Sequence, residues 1–111
     1  MNSQFIDPGA FRAELSLQQA ELTPDGMGGH AESWQEIATV FARIEPMSAD
    51  ARFGAGQTLE NVTHRITLRH RADLASGMRF VRASRVFEIV TAHDPDETQR
   101  YLVCRCREEG R

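Results

Sequence analysis

Alternation of apolar and polar positions runs through this chain. It is clearest over residues 62–71, where Val62, His64, Ile66, Leu68 and His70 fall on one side. Thr63, Arg65, Thr67, Arg69 and Arg71 fall on the other. Successive side chains of a strand point to opposite faces, so this segment reads as a two-faced strand. One face can join a core; the other needs water, anions or a partner. The same period holds over residues 13–22, with Ala13, Leu15 and Leu17 set against Glu14, Ser16 and Gln18. Residues 78–82 and 86–91 read as a hairpin through Ala83, Ser84 and Arg85. Residues 100–108 close the pattern, with Leu102, Cys104 and Cys106 opposite Tyr101, Val103, Arg105 and Arg107.

Residues 33–47 admit two readings. Trp34, Ile37, Val40, Phe41 and Ile44 lie at helical spacing, and Ser33 with Glu36 forms a capping-box pattern. Against this, the run from Ile37 to Ala42 is rich in β-formers, as in a buried strand. Pro46 ends the element in either case.

Turn chemistry separates these segments. Residues 23–29 hold Pro24, Asp25, Gly26, Gly28 and Gly29; residues 93–97 hold Asp94, Pro95 and Asp96. Residues 48–60 have no clean period and contain Gly54 and Gly56. Loops of that length without structure of their own are uncommon in small domains and are often functional. About six short strands between such turns predict an all-β fold, a small barrel or sandwich with a long loop between strands 2 and 3. The 111 residues suit one domain. We assign residues 1–12 to an N-terminal arm and residues 13–111 to that domain.

Charge narrows the function. The net charge is −3, against a dedicated nucleic-acid binder. All thirteen basic residues are arginine. A codon bias explains this more simply than a preference for forked contacts to carboxylate or phosphate. The absence of lysine removes Schiff-base and Walker-type chemistry. No catalytic constellation, metal set or cofactor motif is expected. Cys104 and Cys106 with His64 and His70 do not suit one metal ion, because the two histidines stand roughly 20 Å apart along a strand. Asp94, Asp96 and Glu97 read as a polar turn. The two cysteines, two apart, read as reduced thiols. No leader or membrane span is expected.

The order of features resembles a known family. A turn with Asp25-Gly26 and Gly28-Gly29 precedes Trp34. Ala42-Arg43-Ile44-Glu45-Pro46 follows, then an irregular segment, then Val62-Thr63-His64-Arg65-Ile66-Thr67-Leu68-Arg69. Gly77-Met78-Arg79-Phe80, Phe87-Glu88-Ile89-Val90, Asp94-Pro95-Asp96 and Tyr101-Leu102-Val103-Cys104 complete the set. This is similar to the phage head–tail joining family, also called head-closure or stopper proteins, with members in prophages and gene transfer agents. The resemblance covers residues 13–109. It implies a small β-barrel, so residues 34–47 become a strand. It also implies a structural role without catalysis or cofactor.

In that family, copies form a ring below the portal and adaptor, and the channel carries DNA. On the order of six or twelve copies are implied here. A tail-terminator or tail tube protein docks below, and no membrane is involved. The place of action is the head–tail interface of the particle, assembled in the bacterial cytoplasm. By placement, Arg52, Phe53 and Gln57 in the long loop become candidate channel or neighbour contacts. Arg65, Arg69 and Arg71 become a candidate interface face, ahead of contact with DNA phosphates. A tail-terminator or adaptor subunit, or a small-barrel nucleic-acid-binding module, are the alternatives.

Overall fold

The structure, a computed structural model, describes residues 6–48 and 61–110. A 3-10 turn, Pro8–Ala10, leads into six strands: β1 Ala13–Pro24, β2 His30–Pro46, β3 His64–Arg69, β4 Arg79–Arg82, β5 Arg85–His93 and β6 Tyr101–Glu108. All pairings are antiparallel, and the order β1-β2-β3-β6-β5-β4 closes into a barrel. The closing seam is short: β1 meets β4 only where Ser16, Leu17 and Gln18 face Val81, Phe80 and Arg79. Closure removes the exposed edges that an open sheet would present.

Alternation fills the interior. Leu15, Leu17, Val40, Ala42, Ile66, Leu68, Phe80, Phe87, Ile89, Leu102, Cys104 and Cys106 form one buried cluster. Phe80 and Phe87 face each other across β4 and β5, and both are fully buried. Such a cross-strand aromatic pair is a main anchor of a small core. Cys104 and Cys106 are free and buried. Burial pushes the Cys104 thiol up to about 12. Burial, and then the neighbouring Cys104, push Cys106 up as well. Both behave as small apolar groups.

The all-β reading holds, and residues 33–47 belong to a strand. The helical spacing has a local cause. The register of β1 and β2 shifts after Leu17: Leu17 faces Ala38, but Gln18 faces Glu36. Ile37 is the extra residue of a β-bulge, which breaks the two-residue period and lets apolar residues recur three and four apart. The segment read as a strand over residues 62–71 is shorter as a ladder, His64–Arg69. His70 instead donates its backbone N–H to the Arg100 carbonyl, 3.0 Å away.

Outward-facing Thr67 and Val103 are also buried. They pair across β3 and β6, and Ile6 and Phe11 line a cleft with them. Phe11 meets Tyr101 edge-on, with ring centroids 5.8 Å apart. Asp7 caps this turn by accepting the Gly9 N–H at 2.9 Å.

Candidate functional site

Two surfaces stand out, and the charges separate them. Most arginines of the barrel are already engaged. Arg65 makes a forked pair with Glu45, at 3.1 and 3.3 Å, and Arg43 joins the same carboxylate at 3.2 Å. Arg85 does the same with buried Glu108, at 2.8 and 3.1 Å, beside His64. Arg71 forks onto Asp73, which holds that carboxyl below its ordinary range. Arg100 pairs with Asp96, and Arg107 with Glu88. Arg79 binds Gln18 at 2.8 Å and lies over the Trp34 ring, 4.1 Å from its centroid. These contacts fix the outer face of the barrel without consuming much stability each.

The arginine row predicted on residues 62–71 is therefore not one surface. Thr67 interrupts it, buried under the N-terminal segment. Arg65 is tied to β2 on one side of that break. Arg69 and Arg71 lie on the other, with His70, at the mouth of the barrel. There they line a cleft of about 370 Å³ together with Pro8, Phe11, Thr39, Val40, Phe41 and Leu68. Among the described residues, Arg69 has no carboxylate partner. Arg52, Phe53 and Gln57, the predicted loop contacts, lie outside the described residues.

The second surface was not anticipated from the sequence. β1 loses its outer neighbour after Gln18, and β2 gains one only at Ala42. Between these limits the hairpin continues as a two-stranded ribbon, six residue pairs beyond the bulge, from Gln19–Gln35 to Pro24–His30. At the usual rise that is about 20 Å of projection past the barrel wall. The molecule measures 53 × 28 × 26 Å. Asp25 shapes the tip, accepting the Met27 and Gly29 N–H groups at 2.8 and 3.1 Å.

The ribbon's chemistry differs from that of the barrel. Residues 13–42 carry Glu14, Glu21, Asp25, Glu32 and Glu36 but no arginine. Among the described residues, every ion pair lies outside this span. Among the described residues, the large hydrophobics left exposed, Leu22, Met27, Ile37 and Phe41, all belong to the same hairpin. A signal was present in the sequence: thirty residues with five carboxylates and no basic partner.

The acidic turn of residues 94–97 spends its oxygens locally: Asp94 accepts the Glu97 and Gln99 N–H groups, and Asp96 accepts from Thr98 and Arg100. Among the described residues, no three His, Cys, Asp or Glu side chains converge to hold a metal ion. No described helix is long and apolar enough to cross a membrane.

Comparison with known proteins settles the family. The phage head completion protein family matches residues 6–109. The chain belongs to this family. Head completion proteins are structural, non-enzymatic components. Among solved structures, the barrel and ribbon are similar to the solution structure of a protein from Shigella flexneri 2a. That pair shares 25% identity over 95% of this chain and 98% of the other, with a TM-score of 0.73. A chain of the virion of a native gene transfer agent particle is 28% identical, over 88% of this head completion protein and 93% of that chain, with a TM-score of 0.66. No curated protein matches.

Proposed function

We propose that this head completion protein is a connector subunit at the head–tail interface of a tailed phage or gene transfer particle. Copies form a ring that closes the DNA-filled head and offers the docking surface for the tail. The observation that carries this reading is the family match over nearly the whole chain, joined to the similarity with a gene transfer agent virion chain. The physical character of the subunit supports it. A closed barrel is a rigid unit, and a projecting ribbon gives it reach. An acidic balance suits a channel wall past which DNA must slide, since phosphate binding by many cations would retard transit.

The ring meets the portal or adaptor on one side and a tail-terminator or tail tube protein on the other. Arg52, Phe53 and Gln57 are assigned to the channel or to the neighbouring subunit by their place in the chain. Arg65, Arg69 and Arg71 are assigned to the subunit surface rather than to DNA.

Electron microscopy of particles made without the protein tests the proposal. DNA-filled heads lacking tails are expected. Tailed, transfer-competent particles in its absence would overturn it.

A further inference from the structure

We propose that the ring is closed by the ribbon: the tip of one subunit's β1–β2 hairpin seats in the cleft beside Phe41 and Arg69 of the next. This rests on the ring reading above and names the surfaces that make it.

Four observations converge on a second copy of this chain as the occupant. The first is apolar complementarity. Leu22 is 62% exposed and Met27 89%, while the cleft offers Phe11 and half-exposed Phe41. The second is charge. Glu32 lies directly across from Leu22 in the strand register, so the two share a face of the ribbon. Among the described residues, that face brings a carboxylate without an ion pair to a cleft whose Arg69 lacks a carboxylate. The molecule as a whole segregates its charge the same way, with every arginine outside residues 13–42.

The third observation is reach. The cleft sits at the root of the ribbon, beside Thr39, Val40 and Phe41. Eleven residues of β2 separate Phe41 from His30, roughly 35 Å along a strand. A subunit therefore cannot fill its own cleft with its own tip. The contact has to be intermolecular. The fourth is symmetry. Tip and cleft are different patches at opposite ends of the hairpin, so a subunit can give its tip to one neighbour and its cleft to another, the head-to-tail arrangement that generates a closed ring. A reciprocal dimer, each tip in the other's cleft, is the isologous alternative, and it would stop the cross-linked series at dimer and overturn the ring contact. Arg71 completes the cleft in a different way: its fork onto Asp73 leaves it as a wall, and Arg69 as the available cation.

Disulfide trapping in assembled particles tests the contact. The full chain carries Met27→Cys and His70→Cys together, and Cys104 and Cys106 stay silent because they are buried. After oxidation, a non-reducing gel is expected to show a ladder from dimer to the full ring, and each single variant is expected to run as monomer. Dimers from Met27→Cys alone would mean tip-to-tip pairing and would overturn the proposal. A second arm needs no new cysteine. Glu32→Arg and Arg69→Glu are each expected to lower the yield of tailed particles tenfold or more, and both together in one chain to restore it. Unchanged yields from both single variants would remove the ribbon contact. In that case rings seen by microscopy would leave the connector reading intact, whereas tailed particles devoid of the protein would remove the connector reading itself.

Discussion

The two ends of the β1–β2 hairpin are built from one continuous pair of strands, yet they follow different rules. Near the barrel, Leu15, Leu17, Val40 and Ala42 turn inward and are buried among the other strands. Past the bulge the same inward positions are taken by Gln19, Glu21 and Gln35, and among the described residues no third strand pairs alongside. Near the barrel, arginines and carboxylates meet within the subunit. On the ribbon, carboxylates have no ion-pair partner among the described residues, and Leu22 and Met27 are exposed. A two-stranded ribbon in water has little stability of its own. Here it extends from a barrel that holds the buried cluster. The division separates residues that hold this chain together from residues available to something else.

The sharpest way to break that division is thiol reactivity. Cys104 and Cys106 are buried and held as neutral thiols, so labelling requires the barrel to open. A Met27→Cys variant places a third thiol at the exposed tip. At pH 8 the tip thiol is expected to react about a thousandfold faster or more than the other two, given ordinary domain stability. Mass spectrometry of quenched samples reads the ratio. The sign with pH follows: the thiols' folded values lie above the ordinary 9.0. Stability therefore falls as pH rises past 9.0, where the unfolded chain ionises first. Fast labelling of Cys104 and Cys106 in the folded protein would contradict a closed barrel.

Paired truncations come next. Phe87→Ala removes half of the buried aromatic pair and is expected to destabilise by about 3–5 kcal/mol. Leu22→Ser with Met27→Ser removes apolar groups that touch little, and is expected to stay within about 0.5 kcal/mol of the parent. Urea unfolding of both variants gives the comparison. Equal losses would mean that the ribbon is part of the folding unit.

The same division explains what could be read from the sequence. Strands β3 and β6 were legible because each has one buried face, and alternation reports burial. Phe80, Phe87, Ile89, Leu102 and Cys104 follow the rule. The strand β2 was ambiguous because the bulge at Ile37 breaks the period and because Ile37 and Phe41 are apolar yet exposed. Those are the residues for which burial is not the constraint. Thr67 and Val103 misled in the opposite sense. They sit on outward positions of their strands but are covered by Ile6 and Phe11, from a segment far away in sequence. The arginine row is divided at Thr67 for that reason: periodicity gives the face of a strand, not what crosses it. The acidic ribbon was written in the composition of residues 13–42, but charge segregation becomes a surface only once the strand register carries residues 19–35 past the barrel.

The smallest expected effect compares the two hairpin turns. At the ribbon tip, Gly26 and Gly28 adopt φ of 82° and 86°, where a side chain would be strained. In the barrel, the two-residue turn between β4 and β5 places Ala83 at φ 54°. That left-handed conformation costs a non-glycine residue roughly 1–2 kcal/mol. Glycine would relieve the strain but would lose more freedom on folding, at about 0.5–1 kcal/mol. The difference predicts that Ala83→Gly stabilises the protein by about 0.5 kcal/mol. Gly26→Ala should cost about 1 kcal/mol locally. Because the ribbon is not part of the barrel, that local cost is expected to loosen the tip without moving the midpoint of global unfolding. Amide exchange at residues 25–29 against exchange in β6 distinguishes the two responses. A Gly26→Ala variant whose β6 amides lose protection along with the tip would show that the ribbon and the barrel unfold as one.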